Sequence, residues 1–337
     1  MHLFLLMQQR KTLKIRSTPL RSSEMPLVFL ALLPMLVLAL GHLLFDLVGA
    51  SFANHSLRLL AEASDHDTPS ASIPAGQVWA ATSLIYLVVA SASIVYVVNF
   101  LRKHVRGRAL LPLLSMSVFL IVLGIAHLLW VDNSRQPVSI IFYLTYESLQ
   151  ASSMMRTADL MMVNRLLDVI NVMSVVVPCL FCAYMPSVLL TPHQGWTEET
   201  LTQRVKEGRQ FCLVASAFLV AGVFHMYAWM SWSSALLGEP ELSQLTFSVV
   251  FYWSFVFSAM IGMIYMSILA TLNRRGEWLI EVSDQPSQSR QESLVEFGLA
   301  FKGLAQFKQV ATIFAPVISA LTISGSSPLM DSQLPPM

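Results

Sequence analysis

The sequence predicts an all-α integral membrane protein with six transmembrane helices. Of its 337 residues, 55% are hydrophobic and only 12% are charged. Soluble domains carry about 25% charged residues, so this chain has too few of them to cover a water-facing surface. A membrane-crossing helix needs roughly 20 mostly apolar residues. Six segments meet that requirement, at residues 26–50, 78–101, 109–131, 166–186, 211–236 and 245–272.

The distribution of basic residues predicts that both termini lie in the cytoplasm. Lysine and arginine collect before the first segment, in "RKHVRGR" after the second, in "RVKEGR" after the fourth and in "NRRGEW" after the sixth. The connections between these carry acidic stretches such as "AEASDHD" and "GEPE". Because basic loops stay in the cytoplasm, the six helices form three hairpins with their connections outside. Most tryptophans then fall near an interface, where they act as anchors. Trp79, Trp130, Trp229 and Trp232 lie at the outer one and Trp278 at the inner one.

The remaining stretches have distinct expected roles. Residues 1–25 form a basic cytoplasmic arm, and residues 26–272 are the transmembrane domain. The outer connection 137–165 is expected to lie on the outer face as an amphipathic helix, with a re-entrant segment as the alternative. Thr197 should cap a cytoplasmic helix that continues into the fifth span.

The C-terminal region is expected to form a further helix. Residues 283–323 comprise a polar linker and an amphipathic cytoplasmic helix, with apolar residues at intervals of three or four. That helix should lie under the membrane or bind a partner subunit through residues 293–321. The Ser/Pro-rich tail, residues 324–337, is expected to be disordered.

Three of the predicted spans repeat one pattern, in which a small residue is followed by a histidine and then by an aromatic residue. The three sets are Ala39, His42 and Phe45; Gly124, His127 and Trp130; and Gly222, His225 and Trp229. Spacings of three and four place each set on one helix face. The small residue allows a neighbouring helix to approach closely. Because the three helices run in the same direction, their imidazoles should lie at similar depth.

A second polar group lies at the start of the fourth span, where Arg165, Asp168 and Asn171 share a face. Arg165 and Asp168 can pair within the helix. If the outer helix ends converge, the candidate site is a polar outer layer supported by Trp130, Arg165, Asn171 and Trp229. Its members are His42, Asp46, His127, Asp168 and His225.

Several interpretations of the histidines remain open. They can pack and form hydrogen bonds at the interface, since His127 is only five residues from Asp132. Imidazole titrates near neutral pH, which suits a pore or a proton-linked role. Paired histidines can also bind haem iron or another metal. The cofactor is therefore unknown, with haem as one possibility, although the chain has no His-x₃-His pair.

These observations favour a non-enzymatic membrane component. The sequence has no nucleotide-binding, hydrolase or zinc-protease motif. The pair "CLFC", Cys179 and Cys182, lies among apolar residues and is expected to be helix packing rather than a redox or metal site. We expect an oligomeric pore or the membrane-embedded subunit of a larger complex, with a solute or proton-coupled transporter as the alternative. A net charge of +1 argues against nucleic acid as a partner. The bacterial plasma membrane is the expected location.

Overall fold

In a computed structural model, the described residues form helices, with no strand among them. The structure describes residues 27, 29–63, 72–105, 110–134, 137–152, 155–192, 195–238, 240–282, 299 and 303–325. The eight α-helices are α1 (Leu32–Ala63), α2 (Ser72–His104), α3 (Leu110–Ser134), α4 (Ile140–Ala151), α5 (Thr157–Leu189), α6 (Glu198–Leu237), α7 (Pro240–Val282) and α8 (Gly303–Gly325).

Six of these helices, all except α4 and α8, are long and apolar enough to cross a membrane. They correspond to the six predicted segments, so the prediction of an all-helical, six-helix membrane protein is confirmed at this level. The helices extend beyond the predicted spans, and α5 begins at Thr157 rather than at residue 166.

The predicted start of α6 is confirmed. The Thr197 side chain accepts a hydrogen bond from the backbone N–H of Thr200, whose hydroxyl accepts one from the N–H of Thr197. This reciprocal cap satisfies two of the free donors at the helix start. Glu198 and Glu199 lie in the first turn, where negative charge is favourable. From this cap, α6 runs unbroken for 40 residues.

Helix α6 lies at the centre of the bundle and packs against α2, α4, α7 and α8. Helices α3 and α5 pack together on one side, and α1 packs mainly against α7. The predicted hairpin partners α3 with α5 and α6 with α7 are therefore neighbours. The prediction differs for α1, whose main helical neighbour is α7 rather than α2. Close approach explains this choice, since a Cβ on Gly41 would lie 2.7 Å from a methyl group of Val256 on α7.

Basic residues from α2, α6 and α7 lie at one end of the bundle, which we call the basic end. The Arg204 guanidinium on α6 lies 5.9 Å from the ring centre of Phe100, next to Arg102 and Lys103 on α2. Arg275 on α7 lies 5.7 Å from the ring centre of Trp196, just before α6. The loop charges predicted this clustering of positive charge.

Aromatic side chains fill much of the core. Tyr184 stacks on Phe211 with ring centres 4.3 Å apart, and Phe181 packs edge-on against Phe211 and Phe218. The expectation that Trp79, Trp229 and Trp232 act as interfacial anchors is wrong, because all three are buried against one another. Trp130 and Trp278 are exposed, in keeping with their expected positions.

The outer connection packs on the bundle rather than lying free on its surface. A 3-10 turn, Pro137–Ser139, leads into α4, whose Thr145 hydroxyl donates to the backbone carbonyl of Trp229 on α6 at 2.8 Å. Ile141, Leu144 and Leu149 are buried in the same contact. This packing against protein is what the alternative, a re-entrant segment, had in common with the observed helix.

Helix α8 packs along α6 and α7 of its own chain. The sequence assigned this helix to the cytoplasmic face or to a partner subunit, but one of its faces is covered by the bundle. The contacts that hold it there include Ile313 beside Gly262 of α7 and the Ser216 hydroxyl of α6, which donates to the Thr312 carbonyl at 2.8 Å. The predicted N-terminal arm, most of the linker and the tail after Gly325 lie outside the described residues.

Candidate functional site

The structure brings three of the five candidate residues together, and we call His42, Asp46 and His127 the outer cluster. Nε2 of His42 lies 3.2 Å from Oδ2 of Asp46, one turn later on α1. The His42 and His127 rings meet edge to face with centres 4.5 Å apart. Asp46 also accepts a hydrogen bond of 3.2 Å from the backbone N–H of Val138. The cluster therefore links α1, α3 and the outer connection.

Contacts with α7 hold the α1 side of the outer cluster in place. The Tyr252 hydroxyl donates to the carbonyl of Gly41 at 2.6 Å, one residue before His42. The Trp253 ring packs beside His42 and Phe45, with ring centres 6.3 and 5.7 Å away. Tyr252 and Trp253 thus cover the side of the outer cluster that faces the bundle.

Gly124, the small residue of the repeated pattern on α3, sets how closely α3 packs beside the outer cluster. A Cβ on Gly124 would lie 2.5 Å from a methyl group of Val175, so only glycine allows α3 and α5 to approach this closely. His127, three residues later, is exposed, and Trp130 packs 5.9 Å from it with most of its ring uncovered. The outer cluster is thus enclosed by protein on one side and open on the other.

His225 occupies a separate environment inside the bundle. Its Nδ1 lies 3.2 Å from the Ser83 hydroxyl on α2, and the Trp79 and Tyr86 rings pack around it. Ser83 already donates its proton to the carbonyl of Trp79 at 2.7 Å. Since a hydroxyl has one proton, the Nδ1 of neutral His225 must donate and its Nε2 must be the acceptor. Two of the three imidazoles, His42 and His127, therefore pack together, whereas His225 contacts a different set of side chains.

We expect Ser83→Ala to destabilise the protein by about 1–3 kcal/mol, because the buried N–H of His225 loses its acceptor. The free energy of unfolding in detergent measures the effect. Ser115→Ala is the matched control, since the Ser115 hydroxyl is exposed and donates to Pro112 in its own helix. Equal effects of the two substitutions would contradict the proposed role of Ser83.

The remaining candidates on α5 do not join the outer cluster. Arg165 and Asp168 are exposed, and Asn171 is half-buried. Among the described residues, the structure shows no ion pair between Arg165 and Asp168, so their predicted pairing is not observed. The supporting residue Trp229 lies in the core beside Trp79 rather than at the outer cluster.

Sequence reasoning missed a buried charged group at the basic end. Nη1 of Arg204 donates to Oε2 of Glu207 at 3.0 Å, with both side chains less than a tenth exposed. Gln203 donates to the other carboxylate oxygen at 2.9 Å. The i, i+3 spacing of Arg204 and Glu207 was the available signal, but in the sequence Arg204 only adds to the positive charge of a connection. Burial by α2 and α5 turns them into a core ion pair.

The structure supports the expected packing role of the cysteines. Cys179, Cys182 and Cys212 are free and buried, the first two against Leu120 and Ala31. Among the described residues, no group of three or more His, Cys, Asp or Glu side chains is arranged to hold a metal ion. What the outer cluster offers is a carboxylate and two imidazoles that can exchange protons and hydrogen bonds with a neighbouring molecule.

Together, the fold and the site define a polytopic, all-helical membrane protein with a polar cluster on two of its peripheral helices. Comparison with protein-family models, with curated proteins and with solved structures gives no match.

Proposed function

We propose that the protein is a membrane-embedded subunit of a larger assembly and that the outer cluster contacts a neighbouring copy. The observation that carries the proposal is the position of this cluster on α1 and α3. Only 17% of each of their apolar windows is buried, compared with 56% for α6. The bundle therefore leaves uncovered the two helices that carry the outer cluster.

The cost of exposing such groups to lipid favours a protein neighbour. Leu43 and Leu47 on α1 and Leu123 on α3 are exposed around the cluster, which indicates that lipid or another apolar surface surrounds it. His42 and Asp46 pair with each other, but an exposed ionisable side chain such as His127 is costly in that environment unless it also pairs. A second copy that presents its own histidine and carboxylate would supply such partners and cover Trp130.

The interior gives less support for transport through a single copy. Tryptophan, tyrosine and phenylalanine fill the core around α6, as the contacts of Trp229 and Tyr184 illustrate. A pocket between α6 and α7, beside Arg209 and Tyr265, holds about 10 Å³. That is roughly the space of one water molecule. A pore formed between copies remains compatible with this proposal.

A proton-coupled role is the second candidate, favoured by one contact. Nε2 of His42 and Oδ2 of Asp46 lie 3.2 Å apart beside the His127 ring, so a proton could pass between the imidazole of His42 and the carboxylate at a surface open to the outside. Proteoliposomes with a pH-sensitive dye inside would test this role. A proton flux that the wild-type protein produces and Asp46→Asn does not would support this role. If liposomes with the wild-type protein showed the same flux as empty liposomes, the role would be excluded. In either role we place the protein in a bacterial plasma membrane with its basic end in the cytoplasm.

The assembly proposal predicts a mass of more than one copy for the purified protein in lipid nanodiscs. We expect His127→Leu to lower that mass to one copy, because the polar contact is lost. Leu123→Cys, one turn before His127 on the same exposed face of α3, should form a cross-linked dimer, whereas Val98→Cys on α2 should not. The native cysteines are buried, so we expect no cross-link between copies through them. A one-copy mass for the wild type would overturn the proposal.

A further inference from the structure

The direction and depth of α8 follow from three contacts with its neighbours. Gln309 pairs with Tyr265, Ile313 lies against Gly262, and Ala320 packs with Val250 and Val223. Position numbers rise along α8 as they fall along α7, so the two helices are antiparallel. Helix α8 therefore starts near the basic end and runs beside the apolar stretches of α6 and α7.

The uncovered face of α8 is apolar. Val310, Phe314, Ile318 and Leu321 are each about half exposed and share one side of the helix through spacings of four, four and three. A helix that lay in the cytoplasm would carry charged residues on this side. Between residues 308 and 323 the only charged residue is Lys308, in the part nearest the basic end. This composition fits contact with lipid.

A polar contact between α8 and α6 also supports a location of α8 in the membrane. Pro316 has no N–H, so the carbonyl of Thr312, four residues earlier, lacks its normal helical donor. The Ser216 hydroxyl of α6 donates to that carbonyl at 2.8 Å. In lipid an unsatisfied backbone carbonyl is costly, whereas on a wet surface water would satisfy it. Ser216 thus replaces the donor that Pro316 removes.

We propose that α8 is a seventh membrane-embedded helix, docked in the groove between α6 and α7. Ser216 fixes its register, and its last turns lie in the half of the membrane opposite the basic end. This inference does not depend on the proposed assembly. It assigns the α6–α7 groove to this chain's own C-terminal helix, so a partner would meet only the outer face of α8.

Spin labels at Phe314 and Ile318 in nanodisc-embedded, full-length protein test the depth of α8. We expect these labels to collide with oxygen and to be shielded from a water-soluble nickel reagent, like a label at Phe255 on the exposed side of α7. A label at Glu198, in the first turn of α6, is the water-exposed reference. If the α8 labels matched the Glu198 label, the helix would lie in water and the proposal would fail.

The role of Ser216 is tested by a double-substitution cycle. Ser216→Ala should raise the nickel accessibility of the Phe314 label roughly tenfold, because the Thr312 carbonyl loses its buried donor. In Ser216→Ala/Pro316→Ala the restored helical N–H should return the accessibility to the wild-type value. If the Phe314 label were equally accessible to nickel in Ser216→Ala and in Ser216→Ala/Pro316→Ala, Ser216 would not be the substitute donor.

Discussion

Glu207→Ala should lower the free energy of unfolding by about 3–5 kcal/mol, which is the range for removal of one partner from a buried ion pair. The substitution leaves the Arg204 guanidinium charged and buried against Phe100, and it also removes the acceptor of Gln203. Equilibrium unfolding in detergent, monitored by the intrinsic tryptophan fluorescence, measures the loss.

Two further variants test whether the loss of stability comes from the burial of the ion pair. Arg204→Met/Glu207→Leu should recover most of the stability, since well-packed apolar residues can replace a buried pair at little cost. Asp159→Ala breaks the exposed Arg156–Asp159 pair on α5 and should change stability little. If Glu207→Ala were as mild as Asp159→Ala, then Arg204 would not depend on a buried partner.

Gly124→Ala should destabilise the protein by about 1–3 kcal/mol, the usual cost of adding atoms to a packed contact. Its Cβ would lie 2.5 Å from a methyl group of Val175, a β-branched side chain with little freedom to rotate in a helix, so we expect α3 to move away from α5. Because His127 follows on the same face of α3, that movement should also separate it from His42. Unfolding measurements, together with cross-linking of a cysteine pair at positions 42 and 127, report the two effects.

The histidine pattern itself supplies the control for Gly124. Gly222→Ala makes the same chemical change beside His225, but its Cβ would lie 3.6 Å from the Tyr86 ring, an ordinary contact distance. We expect no loss of stability there, and a small gain from the better helix propensity of alanine. Val175→Ala should rescue Gly124→Ala by removing the clashing methyl groups. Failure of that rescue would show that the clash is not the cause.

The sequence predicted those features that depend on position along a helix. Long apolar runs gave the six helices, since hydrocarbon can be matched only by continuous apolar surface. The Thr197 cap was predictable because its partners lie within one turn. The close approach at Gly124 was predicted as a type of contact, although its partner Val175 was not. Clustering of basic residues at one end followed from the loops.

Tertiary structure alone decided which helix faces meet, because spacing along one helix carries no information about rotation relative to another. His42 and His127 share a contact, yet His225 in the same pattern turns toward Ser83. The packing of α2 against α6 buries Trp79 with Trp229, which a depth argument had assigned to an interface. In the sequence Arg204 is one of several loop charges, and only the packing of the neighbouring helices buries it with Glu207. The carbonyl freed by Pro316 is visible in the sequence, but its donor, Ser216, lies 96 residues away.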